Sequence, residues 1–368
     1  MKNVHPIVFV AESPWERPAK LAFGLRKHGI PIMLLYVNTP NYDPLMYFDY
    51  AVKCESAQEC VAIAARLKPK IIHIFSYHAD STAISIVQNR LSIIVYDYKD
   101  TFQNMISHPQ DQNLWAAQKF LVENVDGLCC RDLQLSHYCK INNIAAKGKT
   151  VFFPDYCWNN KTSIDLDRNP DEIHVALIGT FIPEKAMPLF ASHGYLFIAK
   201  VFAMSGIHLH IYPSAWTKNY LVQESIAVDY LALTQSSPFI HLHDPVPVDK
   251  IVTEISQYDF GICAWQGDLF GIPEHYLLND AQKYGIATRI FDYLEAGLEV
   301  LTQPSLNMIY RLLRNRNVVT PLTRDTIHSL FETLACRKPL IRERAKAARE
   351  YYAIEHHIPR LMRFYESL

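Results

Sequence analysis

The sequence predicts an α/β protein built of two Rossmann-like domains, and three observations lead there. Short apolar runs recur along the chain, such as IVFVA (7–11), IIHIF (71–75) and VALIG (175–179). Amphipathic segments of helical period separate these runs, and buried strands alternating with such helices imply a parallel sheet covered on both faces. The alternation lapses over residues 155–171 and then restarts, and 368 residues exceed what one ordinary core accommodates.

In the first half, strands are expected at Ile7–Ala11, Ile32–Tyr36, Ile71–Phe75, 93–96, Gly127–Cys130 and 150–153, with helices at 19–27, Ala57–Leu67 and 114–124. The stretch YCWNNKTSIDLDRNPD then shows neither periodicity and reads as a linker. Its Asp165 and Asp167 form a D-x-D that suits solvated or capping carboxylates better than a metal pair. The second set of strands is expected at His174–Gly179, 207–212, 239–242, 260–264 and 300–302. From Asp325 the chain reads as helical, and its basic run RKPLIRERAKAARE is most simply a solvated helix face. The resulting division is 1–160, 171–345 and a final helical segment, 346–368.

Composition bounds the function. A formal net charge of −1 predicts no general attraction to nucleic acid or anionic membrane. No apolar run approaches the roughly 20 residues of a membrane span, and MKNVHPIVFVAES lacks the apolar core and cleavage site of a signal peptide. The eight cysteines include no C-x-x-C pair and read as reduced core thiols of a cytoplasmic protein, with no structural zinc expected. Twelve glycines are too few for extended phosphate loops, while 21 tyrosines suit stacking on sugars or bases as well as they suit core packing.

The stretch ATRIFDYLEAGLEVL (287–301) organises the second half. Ala287, Ile290, Phe291 and Leu294 make an apolar helical stripe, Gly297 a left-handed stop, and Val300-Leu301 the start of a buried strand. Arg289, Asp292 and Glu295 form a polar line on the other side. A cation in the first turn opposes the helix dipole, which makes sense if backbone amides and a guanidinium converge on an anion. The residues alone fit a solvated Arg–Asp pair equally well.

The same stretch resembles the donor-site helix of glycosyltransferases with the GT-B fold, especially the retaining family-four type. Those enzymes place a Lys or Arg, an acidic residue three positions on and a Gly five further, as Arg289, Asp292 and Gly297 stand here. By that resemblance Arg289 contacts the donor diphosphate and Asp292 the ribose hydroxyls. VALIGTFIPEK (175–185) is similar to the family's strand followed by G-R-L-x-x-x-K, with Gly179 and Lys185 in place and Thr180 where the family has Arg. The family's first acidic residue falls at Tyr284, and its Pro after the Gly at Glu299, so the likeness is to a divergent member. HLHDPVPVDKIVTEISQYDFGICAWQ (241–266) resembles the segment around the donor base, and the loop after it carries Glu274 and His275 as candidate ligands.

In the first half, KPKIIHIFSYHADSTA and IVYDYKDTF resemble the family's acceptor-domain strands. His78 just past one strand, rather than His73 within it, and Asp100 past the next are the candidates for proton transfer; a helix N-cap is the competing role of Asp100. In AESPWERPAK, Glu12, Trp15 and Arg17 would supply a carboxylate, a stacking ring and a charge clamp toward the acceptor. The expected catalytic set is thus His78, Asp100 and Glu12, and the donor-binding set Gly179, Thr180, Lys185, Arg289, Asp292 and Glu295. The resemblance implies a metal-independent transferase with a nucleotide-diphosphate sugar as substrate and no separate cofactor. It also implies a carbohydrate or lipid-linked acceptor, no nucleic acid, and at most peripheral membrane contact. A binding or scaffold protein that has lost chemistry, or a sugar-phosphate epimerase or phosphorylase on the same fold, is the alternative.

Overall fold

The computed structural model describes residues 7–76, 81–101, 111–158, 171–186, 194–270 and 283–368. The chain divides into two compact units. Unit 1 comprises Met1–Trp158, Tyr284–Ile286 and Tyr352–Leu368; unit 2 comprises Asn159–Lys283 and Ala287–Tyr351.

Unit 1 runs β1 (Ile7–Ala11), α1 (Glu16–Lys27), β2 (Ile32–Tyr36), β3 (Tyr50–Lys53), α2 (Ala57–Leu67), β4 (Ile71–Phe75), α3 (Ser81–Asn89), β5 (Ile93–Tyr98), α4 (Gln112–Asn124), β6 (Gly127–Cys130), α5 (Gln134–Ile141) and β7 (Lys149–Phe152). Its seven strands are all parallel, in the order β3-β2-β1-β4-β5-β6-β7. β1 and β4 are buried along their whole length, as strands with neighbours on both sides and helices on both faces must be. β3 escaped the sequence reading because YAVK is an edge strand whose ends are exposed, so it lacks the apolar run that marks the others.

Unit 2 continues with β8 (His174–Gly179), α6 (Leu196–Met204), β9 (His208–Pro213), α7 (Ala215–Leu221), α8 (Glu224–Ser236), β10 (Ile240–Leu242), α9 (Val248–Ile255), β11 (Phe260–Ile262), α10 (Gln266–Phe270), α11 (Arg289–Glu295), β12 (Glu299–Thr302), α12 (Asn307–Arg314), β13 (Val319–Pro321), α13 (Leu330–Arg337) and α14 (Ile341–Tyr351). Its six strands are also parallel, in the order β10-β9-β8-β11-β12-β13. In both sheets the order reverses beside the first strand. Ligands of doubly wound sheets bind beyond the carboxyl ends of the strands at such a reversal, which in unit 2 means the ends of β8 and β11.

The last helix, α15 (Ile354–Ser367), belongs to unit 1. Cys157 and Ala353 form a parallel bridge just before it, and residues 346–351 complete α14 in unit 2. Two glycines make room for α15: a Cβ at Gly24 would lie 2.7 Å from Ile358, and one at Gly127 2.7 Å from Phe364. Pro359 sits inside α15 and has no N–H to give the Glu355 carbonyl four residues back. His28 Nε2 donates to that carbonyl instead, at 2.8 Å.

The basic run 337–350 is not the solvated face that its composition suggests. Arg342 donates to four carbonyls, those of Ala296, Gly297, Ser256 and Tyr258, at 2.8–3.2 Å. Arg337 and Arg344 both bind Glu299, which is fully buried and also accepts from Thr320 Oγ1 at 2.6 Å. The charge at Glu299 is therefore matched by cations 38 and 45 residues downstream, a pairing no local pattern reveals. All eight cysteines are free thiols, six of them buried.

Candidate donor site in unit 2

At the carboxyl end of β8 the backbone turns through Gly179 with φ +87°, a conformation that L side chains rarely adopt. The Gly179 carbonyl accepts from Ser214 N at 3.0 Å, which ties the end of β8 to the end of β9. One residue on, the Thr180 carbonyl accepts from Arg289 Nη2 at 2.5 Å. The guanidinium lies over the glycine, 3.9 Å from where a Cβ would stand. Gly179, Thr180 and Arg289, 110 residues apart in sequence, thus meet at the topological switch of unit 2.

Tyr293, one turn further along, anchors the helix α11 that carries Arg289. The Tyr293 ring packs against Gly261 so closely that a Cβ there would lie 2.2 Å from its Cγ. Its hydroxyl accepts from Ile178 N at 3.2 Å and donates to the Ile262 carbonyl at 2.9 Å, bridging β8 and β11. Sequence reasoning missed Gly261 and Tyr293. The available signal was a glycine in the middle of a strand, which marks a close approach.

Burial works against the charge of Arg289, but Tyr195, Cys263, Tyr293 and Asp292 around it raise its pKa. Nη1 is buried and has no hydrogen-bond partner among the described residues. Leaving a buried charged donor unpaired costs about 1–3 kcal/mol, and an anionic oxygen would satisfy this one.

The start of α11 departs from expectation. The amides of Ile290 and Phe291 are already bound, to the carbonyls of Ala287 at 3.3 Å and Thr288 at 3.0 Å, so the first turn closes on itself. The helix has only seven residues. Of the groups at this helix start, the guanidinium rather than free helical amides is the one available to an anion. Glu295 also leaves the ligand-facing set: it is 1% exposed, whereas Asp292 on the same helix keeps partial exposure. Lys185 is held elsewhere, its ammonium 3.0 Å from Asp229 on α8 with both side chains more than 40% exposed. The Thr180 hydroxyl donates to Ser214 Oγ at 3.0 Å, so it too is engaged within the protein.

In unit 1, Glu12 follows β1, and its carboxylate accepts from Thr82 Oγ1 at 3.0 Å. Asp100 accepts from Arg131 Nη2 at 2.7 Å and from Gln134 Nε2 at 3.4 Å. Burial alone would raise its pKa, but Arg131 and Lys99 bring it below the ordinary carboxylate value. A carboxylate so held is a weak base. His78 lies outside the described residues, as do Glu274 and His275.

The charge clamp expected of Arg17 is overturned, because the side chain is wholly buried. It donates to Asp97 at 2.7 Å, Asp155 at 3.0 Å and the Phe153 carbonyl at 2.7 Å. His73 shares Asp97 at 3.5 Å, and its Nδ1 lies 2.6 Å from the Tyr365 hydroxyl on α15. This buried cluster joins α1, β4, β5 and α15 within unit 1. Trp15 stacks edge-on against Phe75 and lies 4.7 Å below the Lys99 ammonium, an arrangement within the protein.

No family model matches the chain, and no curated protein is similar to it in sequence. Solved structures do share its architecture. Sucrose-phosphate synthase from Thermosynechococcus elongatus aligns over 98% of both chains, at 12% identity and a TM-score of 0.67. Anabaena HepE in complex with UDP-glucose aligns over 99% of this chain and 100% of its own, at 11% identity and a TM-score of 0.65. UDP-GlcNAc 2-epimerase from Neisseria meningitidis bound to UDP-GlcNAc covers 98% and 100%, at 10% identity and a TM-score of 0.53. Two parallel doubly wound sheets, aligned over nearly the whole length, give this chain the GT-B fold.

Proposed function

We propose that the protein is a glycosyltransferase that takes a sugar from a nucleotide-diphosphate donor, with the diphosphate gripped in unit 2. The observation that carries this reading is the Nη1 of Arg289 beside Gly179, without a hydrogen-bond partner among the described residues, at the switch point where ligands of such sheets bind. A fixed guanidinium there meets the negative charge that builds on the departing diphosphate, which is how phosphate-leaving chemistry is stabilised without covalent help. Asp292 is the candidate for the ribose hydroxyls, and Lys185 reaches the phosphates by exchanging its exposed pair with Asp229. Support for a nucleotide-sugar ligand comes from the shared fold of HepE, whose structure contains UDP-glucose. A cytoplasmic, metal-independent reaction onto a carbohydrate or lipid-linked acceptor, with Glu12, His78 and Asp100 on the acceptor side, completes the proposal.

Thr180 favours a second reading, binding without transfer. Its hydroxyl is bound to Ser214 and cannot neutralise phosphate charge as the family's Arg would. One experiment addresses both. Thermal shift with UDP, GDP and ADP should raise the Tm with one nucleotide, because a ligand that binds only the native state stabilises it. Arg289→Ala should abolish that rise, and equal response of the two proteins would sink the donor site. Release of free sugar from the matching donor by the wild type, lost in the variant, separates transferase from binder.

A further inference from the structure

The outer face of the β10-β9-β8 edge carries five histidines: His174 on β8, His208 and His210 on β9, His241 on β10, and His243 just past it. They alternate with the core residues Leu209, Ile211 and Ile240 and the partly buried Leu242, so the period-two pattern of the strands puts every imidazole on one side. The rings stack in pairs, His174 on His208 at 4.4 Å and His210 on His241 at 4.3 Å. None of them touches the donor site described above.

We infer that His174, His208 and His210 form a binding site for a divalent transition-metal ion. One ring nitrogen from each lies within 4.8 Å of the other two. Three nitrogens bound to one ion at about 2.0–2.1 Å sit roughly 3.3 Å apart, so small side-chain rotations close the set. His174 Nδ1 and His210 Nε2 are already 3.0 Å apart.

Each of the three rings also has a polar neighbour on one nitrogen, and for His174 and His210 this is the nitrogen turned away from their mutual contact. Glu172 Oε2 lies 3.3 Å from His174 Nε2, His241 Nε2 2.9 Å from His208 Nδ1, and His243 Nε2 3.1 Å from His210 Nδ1. A carboxylate or imidazole behind each ligand is what fixes tautomer and direction at protein metal sites. With its proton on Nδ1 toward His243 Nε2, His210 would present Nε2 as a neutral ligand in place of its contact with His174. Imidazole donors without thiolate select zinc, nickel, copper or cobalt(II) over magnesium or calcium. Mounting on paired strands rather than loops keeps the ligands in register.

The test uses the full chain without a histidine tag, treated with chelator and dialysed, then titrated calorimetrically with Zn2+ and spectroscopically with Co2+. The expected result is one equivalent bound, with visible absorption of low-symmetry Co2+ and a higher Tm. His174→Gln with His210→Gln should abolish that equivalent. Glu172→Gln, which keeps all three ligands, should weaken it about tenfold. His356→Gln on α15 serves as the control and should bind as the wild type does. Absence of binding by the wild type, or an unchanged equivalent in the double variant, overturns the site. If the double variant unfolds, an unchanged affinity in Glu172→Gln overturns the proposed orientation of His174.

Discussion

At the scale of single residues, two arginines exchange the roles that their surroundings in sequence suggested. Arg17, in a loop-like ERPAK context, lies buried among Asp97, Asp155 and a carbonyl. Arg289, which reads equally as half of a surface pair, keeps a buried nitrogen with no partner among the described residues at a strand end. Asp97 illustrates how strongly such burial acts. Desolvation would raise its pKa, but Arg17 and His73 pull it down to about 2 from 3.8. A folded pKa below the unfolded one stabilises the protein above pH 4 and loses that stabilisation as pH falls toward 2, here about 2 kcal/mol. Asp97→Asn should therefore remove the acid-dependent slope between those values in urea unfolding followed over pH. At neutral pH it should cost about 3–5 kcal/mol, because Arg17 loses a buried partner.

Among elements, α11 shows how a short helix is placed. Seven residues with no side-chain cap are not a stable helix alone; Tyr293 and the stripe of Ile290, Phe291 and Leu294 anchor it. Tyr293→Phe keeps the ring against Gly261 but removes the links to Ile178 and Ile262. We expect a loss of about 1–3 kcal/mol in denaturant unfolding, together with weaker nucleotide binding through a displaced Arg289. An unchanged stability would show that the ring alone holds the helix. The missed strands belong to this scale as well. β3 and β13 are edge strands of four and three residues, and the Pro that ends β13 is tolerated there because an edge N–H has no partner to lose.

For the whole molecule, the chain leaves unit 1, builds unit 2 and returns to finish unit 1 with α15. That helix buries Ile354, Ile358, Leu361, Phe364 and Tyr365, an apolar contribution on the order of 10 kcal/mol as an upper figure. Since ordinary domains have only 5–15 kcal/mol in total, removing residues 354–368 should leave unit 1 unfolded while unit 2 retains its structure. Limited proteolysis followed by mass mapping would show cleavage spreading through residues 7–158 and sparing the sheet of unit 2. Equal resistance of both units would refute this dependence.

What the sequence determined by itself was the class of fold and most of its strands, because buried parallel strands read as apolar runs whatever surrounds them. Through the family resemblance it also singled out Gly179 and Arg289, which the fold brings together at the end of β8. Tertiary structure alone decided which polar groups are ligand-facing. The burial of Glu295, the Arg131 partner of Asp100, the clamp on Glu299 and the alignment of five histidines all depend on residues distant in sequence and adjacent in space. Desolvation and pairing, which set the chemistry of a charged or titratable side chain, are properties of that neighbourhood and leave no periodic trace along the chain.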